Sequence, residues 1–181
     1  ANPNYDVIIA KRPVDYALLH REYGEKVIYI PTPGMQLRPN YEPFKDHQKL
    51  ITACAAARFY KVDGSAQYNY FDYVIALLKN TKGRHFHFGP IEPEKMDVIR
   101  QRMEAEGVPE DSFVCIEWAE DLGAAFLENH VDVFIEPFPT LSYKITLEAM
   151  AVGLPVAALN GYRKIDYLYF AYADHICFNN K

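Results

Sequence analysis

From residue 45 onward the chain repeats one alternation: a short apolar run, a stretch of helical periodicity, then another apolar run. "QKLITACAAARFY", "RHFHFGP", "SFVCIEW", "VDVFIEPF", "LPVAALN" and "HICFN" read as six strands. Between them, "SAQYNYFDYVIALLKN", "EPEKMDVIRQRMEAEG", "EDLGAAFLEN", "YKITLEAMAVG" and "KIDYLYFAYA" read as five helices. Phe71, Val74, Ile75 and Leu78 fall on one helical face, as do Met96, Ile99 and Met103. Strands separated by helices pair in parallel, because a parallel neighbour is reached only by a long crossover, and a parallel sheet must be covered on both faces. The expected class is therefore α/β, a doubly wound parallel sheet.

The first part of the chain is shorter in pattern. "YDVIIA", "VDYALLHREYGE" and "KVIYIPT" predict strand, helix and strand, with Gly24 stopping the helix. "PTPGMQLRPNYEPF" follows, and its four prolines and one glycine mark a linker or a long surface loop. The expected boundary lies there, with residues 1–44 before it and 45–181 after it.

Composition narrows the function. Half of the 181 residues are apolar, enough for a substantial core. With 19 basic against 24 acidic side chains and a net charge of −5, broad attraction to nucleic-acid phosphates is not expected, and an anion must be held locally. No apolar run approaches the roughly 20 residues of a membrane helix, and no signal-peptide pattern opens the sequence, so a cytoplasmic location without an integral membrane segment is expected. Cys54, Cys115 and Cys177 are widely spaced in apolar contexts and read as buried reduced thiols.

In a doubly wound sheet, ligands bind outside the carboxyl ends of the strands. Four loops lie there: "RFYKVDGS", "FGPIEP", "EWAED" and "EPFPTLSYK". The last opens a helix, whose unpaired N–H groups and partial positive charge suit a phosphate. Ser142 and Thr146 can add hydroxyls and Lys144 a charge, while Glu148 is placed to accept hydrogen bonds from sugar hydroxyls. The plainer alternative makes Ser142 an N-cap and Lys144–Glu148 an i,i+4 surface pair. Lys61 either reaches an anion over the sheet edge or is a solvated lysine. His85 and His87 share a strand face, and without a third ligand they read as packing or surface histidines and not as a metal site. Trp118, the single tryptophan, either walls a pocket for a base or sits at the core edge, and "YNYFDY" reads as a partly buried helix face.

Two stretches carry a family resemblance. "DVFIEPFPTLSYKITLEAMAVGLPV" resembles the nucleotide-sugar-binding segment of GT-B glycosyltransferases, with Glu148-Ala149-Met150 and Gly153-Leu154-Pro155-Val156 matching. The first glutamate of the paired-glutamate motif of retaining members would fall at Thr140 and is absent. Tyr60-Lys61-Val62-Asp63 is similar to the stretch before the first helix in O-linked N-acetylglucosamine transferases and related bacterial protein glycosyltransferases. Together the likeness covers roughly residues 48 to 162.

The resemblance implies a Rossmann-like domain, the C-terminal half of a GT-B enzyme, with residues 1–44 the tail of the preceding domain plus its linker. It implies diphosphate contacts from Lys61 and from Ser142, Tyr143, Lys144, Ile145 and Thr146, and a ribose contact from Glu148. Of the threonine run usual in that loop only Thr146 remains, Lys144 and Ile145 stand beside it, and Ser142 replaces a glycine. Glu117 and Trp118 are expected beside the base. The implied activity is transfer of a sugar from a nucleotide donor, UDP-linked, to a protein or glycan acceptor, without a metal or other cofactor. No residue stands out as the catalytic base, so the N-terminal domain of the same enzyme is the expected partner. A sugar-nucleotide epimerase of the same architecture and a non-catalytic α/β interaction domain are the alternatives.

Overall fold

A computed structural model describes residues 6–10, 13–30, 49–63, 69–140, 142–160 and 177–179, with backbone only at 13–14, 143, 160 and 177–179. The Pro-rich stretch and the helix expected at "KIDYLYFAYA" lie outside the described residues. The described chain falls into two compact units.

Among the described residues the first unit is one strand–helix–strand repeat: β1 (Ile8–Ala10), α1 (Pro13–Tyr23) and β2 (Val27–Tyr29). Its strands are parallel, with Ile8 opposite Val27 and Ala10 opposite Tyr29.

The second unit contains β3 (Ile51–Ala55), α2 (Tyr70–Thr81), β4 (Arg84–Phe88), α3 (Pro93–Ala105), β5 (Phe113–Ile116), α4 (Leu122–Glu128), β6 (Val133–Ile135), α5 (Tyr143–Ala151), β7 (Val156–Asn160) and β8 (Cys177–Asn179). The six strands form one sheet in the order β5-β4-β3-β6-β7-β8, every pair parallel. Starting the count at β3, that order is 3-2-1-4-5-6, the Rossmann arrangement. The chain winds outward in one direction from β3 to β5, then returns to lay β6 on the other side of β3. A crevice opens at the carboxyl ends of β3 and β6, where the crossover loops part.

Strand alternation sorts side chains to two buried faces. Ala53, Ala55, Phe86 and Phe88 share one face with Phe126 of α4, Ala149 of α5 and Val152 just beyond it. On the opposite face, Tyr70 and Phe71 of α2 pack their rings against His85, His87 and Phe113. The anticipated helix faces are observed: Phe71, Val74, Ile75 and Leu78 are buried in α2 and Ile99 and Met103 in α3, while Met96 is half-buried. Cys54 is a buried free thiol as expected, whereas Cys115, near the outer strand's end, is free but only half-buried.

Glycine is needed where the strand ends crowd. Gly89, at φ +139°, follows β4 so closely beside β3 that a Cβ there would meet the Ala56 carbonyl oxygen at 2.0 Å. Its own N–H donates to the Ile116 carbonyl of β5, 2.9 Å away. One bare backbone residue therefore ties three strand ends together and leaves the surface above them open.

Candidate functional site

Above these strand ends lies a cleft of about 650 Å³. The loop after β3 supplies Ala57 and Lys61, the loop after β4 supplies Gly89 and Pro90, and the loop after β5 supplies Glu117 to Glu120. The start of α5 closes one side with Ser142, Lys144, Ile145 and Glu148. Three of the four loops singled out from the sequence thus line the cleft, and the fourth enters it through Ser142 and Lys144.

Lys61 ends a single 3₁₀ turn, Phe59–Lys61, just beyond β3. Its Nζ donates to Ser142 Oγ at 2.6 Å, across 81 positions of sequence. A second tie runs beside it, with Thr140 N donating to the Lys61 carbonyl at 3.3 Å. These are the loops on the two sides of the strand crossing. The crossing itself therefore brings the ammonium group to the helix start.

Ser142 occupies the N-cap position of α5, yet its side chain caps no N–H of the first turn. Its hydroxyl instead receives Lys61, and its own N–H donates to Glu136 Oε1 at 2.5 Å. The first-turn N–H groups of an α-helix have no partner within the helix. Their partial positive charge and the Lys61 ammonium face the same small space, an arrangement suited to an anion.

Thr146 stands apart from the other proposed diphosphate residues. It is buried, its hydroxyl donates to the Ser142 carbonyl at 3.2 Å, and it does not line the cleft. The backbone geometry of a helix explains this: position i+4 back-bonds to position i and turns inward. Tyr143 joins the helix by its backbone, and its side chain lies outside the described residues. Lys144 is exposed and its Nζ lies 3.5 Å from Glu148 Oε1, so the i,i+4 pair forms on the cleft wall itself. Trp118 is 80% exposed on the opposite side of the cleft, beside the exposed Glu117.

Glu136 escaped the sequence reading. It follows β6 directly and is only 1% exposed. Burial pushes its carboxyl up to about 7, against the opposing pull of the Ser142 N–H and the Lys61 ammonium. Its Oε2 has no hydrogen-bond partner among the described residues. The signal was present in "DVFIEP": a carboxylate closing an apolar run at the carboxyl end of the strand that makes the crossing.

His85 and His87 are fully buried on the sheet face covered by α2, away from the cleft lining. Thr52 Oγ1 donates to the Arg84 carbonyl at 3.4 Å and so accepts from His85 Nδ1 at 2.8 Å. His85 Nε2 then accepts the Tyr70 hydroxyl at 2.6 Å, and His87 Nδ1 donates to that hydroxyl's oxygen at 3.3 Å. This assignment makes both rings neutral. Burial holds His87 down at about 4 and His85 well below the ordinary histidine range. Among the described residues no group of three or more His, Cys, Asp or Glu could hold a metal ion, and no helix is long and apolar enough to cross a membrane.

Comparison with known proteins bears on the fold. No family model matches the chain, and no curated protein matches it. Solved structures do. An O-GlcNAc transferase mutant of Thermobaculum terrenum superposes with a TM-score of 0.57 at 16% identity, over 95% of this chain and 34% of that one. Anabaena Alr3699/HepE in complex with UDP-glucose gives 0.59 at 14% identity, over 92% of this chain and 48% of that one. The apo form of the lipopolysaccharide outer core galactosyltransferase WaaB gives 0.56 at 14%, over 89% and 45%. The fold is like that of the Rossmann-like domains of GT-B glycosyltransferases. This chain spans about a third to a half of the length of these GT-B proteins. The expected Rossmann-like, doubly wound sheet of a GT-B half is therefore what the structure contains.

Proposed function

We propose that the cleft seats the diphosphate of a nucleotide-activated sugar, UDP-linked, and that the chain is the donor-binding part of a glycosyltransferase acting on a protein or glycan acceptor. The observation that carries this reading is the meeting of Lys61 Nζ with the uncapped start of α5 at the strand crossing. Two structural neighbours add support, since HepE was solved with UDP-glucose and with UDP and glucose. A volume of about 650 Å³ also falls within the range of small-molecule sites, about 300–1,000 Å³.

In this reading the residues divide the work by chemistry. Departure of the sugar leaves negative charge on the diphosphate. Lys61 and the first N–H groups of α5, including those of Lys144 and Ile145, stabilise that charge where it develops, without a metal ion. Glu148 accepts hydrogen bonds from the ribose hydroxyls, and Glu117 and Trp118 flank the base. Ser142 holds Lys61 in place when no anion is bound. Thr146 serves the site through the helix backbone and not by touching the ligand. The base and the acceptor surface belong to the N-terminal domain of the same enzyme, whose tail is the unit before the Pro-rich segment. This chain alone binds donor and transfers nothing.

The test is calorimetric titration of UDP, GDP, ADP and CMP into the chain. UDP is expected to bind saturably. Lys61→Ala removes a charge-assisted contact of about 1.5–3 kcal/mol and is expected to weaken UDP about ten- to a hundredfold. Binding of no nucleoside diphosphate would favour a non-catalytic interaction domain.

A further inference from the structure

Beneath the proposed seat, three groups form a short relay. Ser142 is its centre: the hydroxyl receives Lys61 and the N–H is given to Glu136. The carboxylate at the far end is almost completely buried, with one oxygen committed to Ser142 and the other without a partner among the described residues. The groups facing it are few. From the loop after β3 comes the Lys61 ammonium, from β3 the buried Cys54 thiol, and from the start of α5 the Ser142 N–H. The Tyr70 hydroxyl of α2 lies one step further, hydrogen-bonded to Cys54. Burial pushes both the thiol and the phenol up, so each is neutral near neutrality. Lys61 is therefore the cation among these groups, and it compensates an ionised Glu136.

We propose that Glu136 is a positioning residue that takes up one proton from solvent when a nucleoside-diphosphate sugar fills the cleft, so that donor binding is coupled to protonation beneath the site. This rests on the donor-binding reading above. The diphosphate brings about two negative charges to the ammonium that the carboxylate depends on. An ion pair shared with a stronger anion no longer offsets burial, and a buried carboxylate without compensation is neutralised by protonation. The proton enters on Oε2, the oxygen with no partner. Oε1 continues to accept the Ser142 N–H, so the helix start keeps its place while the charge beneath it disappears. Since the free carboxyl already titrates at about 7, the coupling falls in the physiological range. Linkage fixes the sign: binding that takes up a proton weakens as pH rises, by up to about tenfold per pH unit for one proton.

The experiment titrates UDP-glucose into the chain by calorimetry between about pH 6 and pH 8, in buffers of different ionisation enthalpy. A sugar nucleotide is the right probe because its diphosphate is a diester and does not itself titrate there. The wild type is expected to take up a fraction of a proton that grows above about pH 7, with affinity falling several-fold by about pH 8. Glu136→Gln keeps an acceptor for Ser142 but carries no charge, so its affinity is expected to be flat with pH and its binding free of proton uptake. Proton-silent binding by the wild type, or an unchanged pH slope in Glu136→Gln, overturns the coupling and leaves donor binding standing. Failure of both UDP-glucose and UDP to bind overturns the donor reading, and the coupling with it. If Glu136→Gln does not fold, carbon NMR titration of the wild-type Glu136 carboxyl decides instead: its midpoint must rise when UDP-glucose is added, and an unmoved midpoint refutes the proposal.

Discussion

Two helix starts in the same sheet are built on opposite plans. At α2, Asn69 Oδ1 accepts from Phe71 N at 3.0 Å and Asp72 N at 3.2 Å, and the next side chain, Tyr70, is sealed among two histidines. At α5, the hydroxyl of the N-cap residue Ser142 accepts from Lys61 Nζ and caps no N–H of the helix. The α4 start follows the first plan, with Asp121 Oδ1 accepting from Ala124 N at 2.9 Å. A cap is worth about 0.5–2 kcal/mol to a helix. At α5 that side-chain cap is absent, and in its place the structure holds an ammonium group beside the helix start on the wall of a cleft. The α3 start likewise has no side-chain cap at Glu92, with Pro93 in its first turn, so what sets the α5 start apart is the Lys61 ammonium beside it and its place on the cleft wall.

The sharpest way to break the contrast is to close each polar network by charge. On the α2 side, acid does this. Unfolded histidines titrate near about 6.5, whereas buried His87 is held at about 4 and His85 lower than its usual range. Both folded values are depressed, so their stability contribution is complete above about pH 6.5 and is lost as pH falls towards about 4. His87 alone accounts for up to about 3 kcal/mol at 1.36 kcal/mol per unit. Glu136 acts in the reverse sense: its raised carboxyl contributes below about pH 4.5, and that contribution is lost as pH rises through about 7. Two histidines outweigh one glutamate, so the urea midpoint is expected to fall on acidification across this range, and more steeply in Glu136→Gln.

On the α5 side, Ser142→Asp imposes the α2 plan on the open start. It supplies a carboxylate cap and places negative charge where the diphosphate must sit. Like-charge juxtaposition costs several kcal/mol, so UDP affinity is expected to fall at least about a hundredfold. Circular dichroism should show the helix content retained. Retained UDP affinity in this variant would mean that the α5 start does not face the ligand.

The converse substitution is the mildest. Asn69→Ala removes a cap from a helix that touches no part of the cleft, and is expected to lower stability by about 1 kcal/mol, or about 2–4 °C in melting temperature. UDP affinity should not change. A loss of affinity there would show that the two helix starts are coupled.

How much of this could be read from the sequence differs between the two plans. The sheet was legible because its cause is local: apolar runs of strand length alternating with amphipathic stretches leave few arrangements besides a parallel sheet. Lys61 was singled out by its place after a strand and by the resemblance of Tyr60-Lys61-Val62-Asp63, while its contact with Ser142, 81 positions away, was not legible. Which hydroxyl faces the cleft was not legible. Ser142 and Thr146 look equivalent in "SYKIT", and only the geometry of the first turn separates the one that meets Lys61 from the one that back-bonds inward. Glu136 was marked in the sequence only by its place at the end of an apolar run. Its role depends on burial, and burial at the end of a strand is a property of the loops folded over it.

On the proposed reading, the crossing of β3 and β6 delivers Lys61 to the start of α5 and so makes a diphosphate seat. Trp118, the single tryptophan, sits on that cleft and gives it an optical reporter. Titrating UDP while following tryptophan emission, in the wild type and in Lys61→Ala, tests whether Lys61 holds the diphosphate. Saturable change in the wild type, shifted about ten- to a hundredfold to higher concentration in the variant, is the predicted result. Identical curves for the two proteins, or no UDP-dependent change matched by no calorimetric heat, would contradict it.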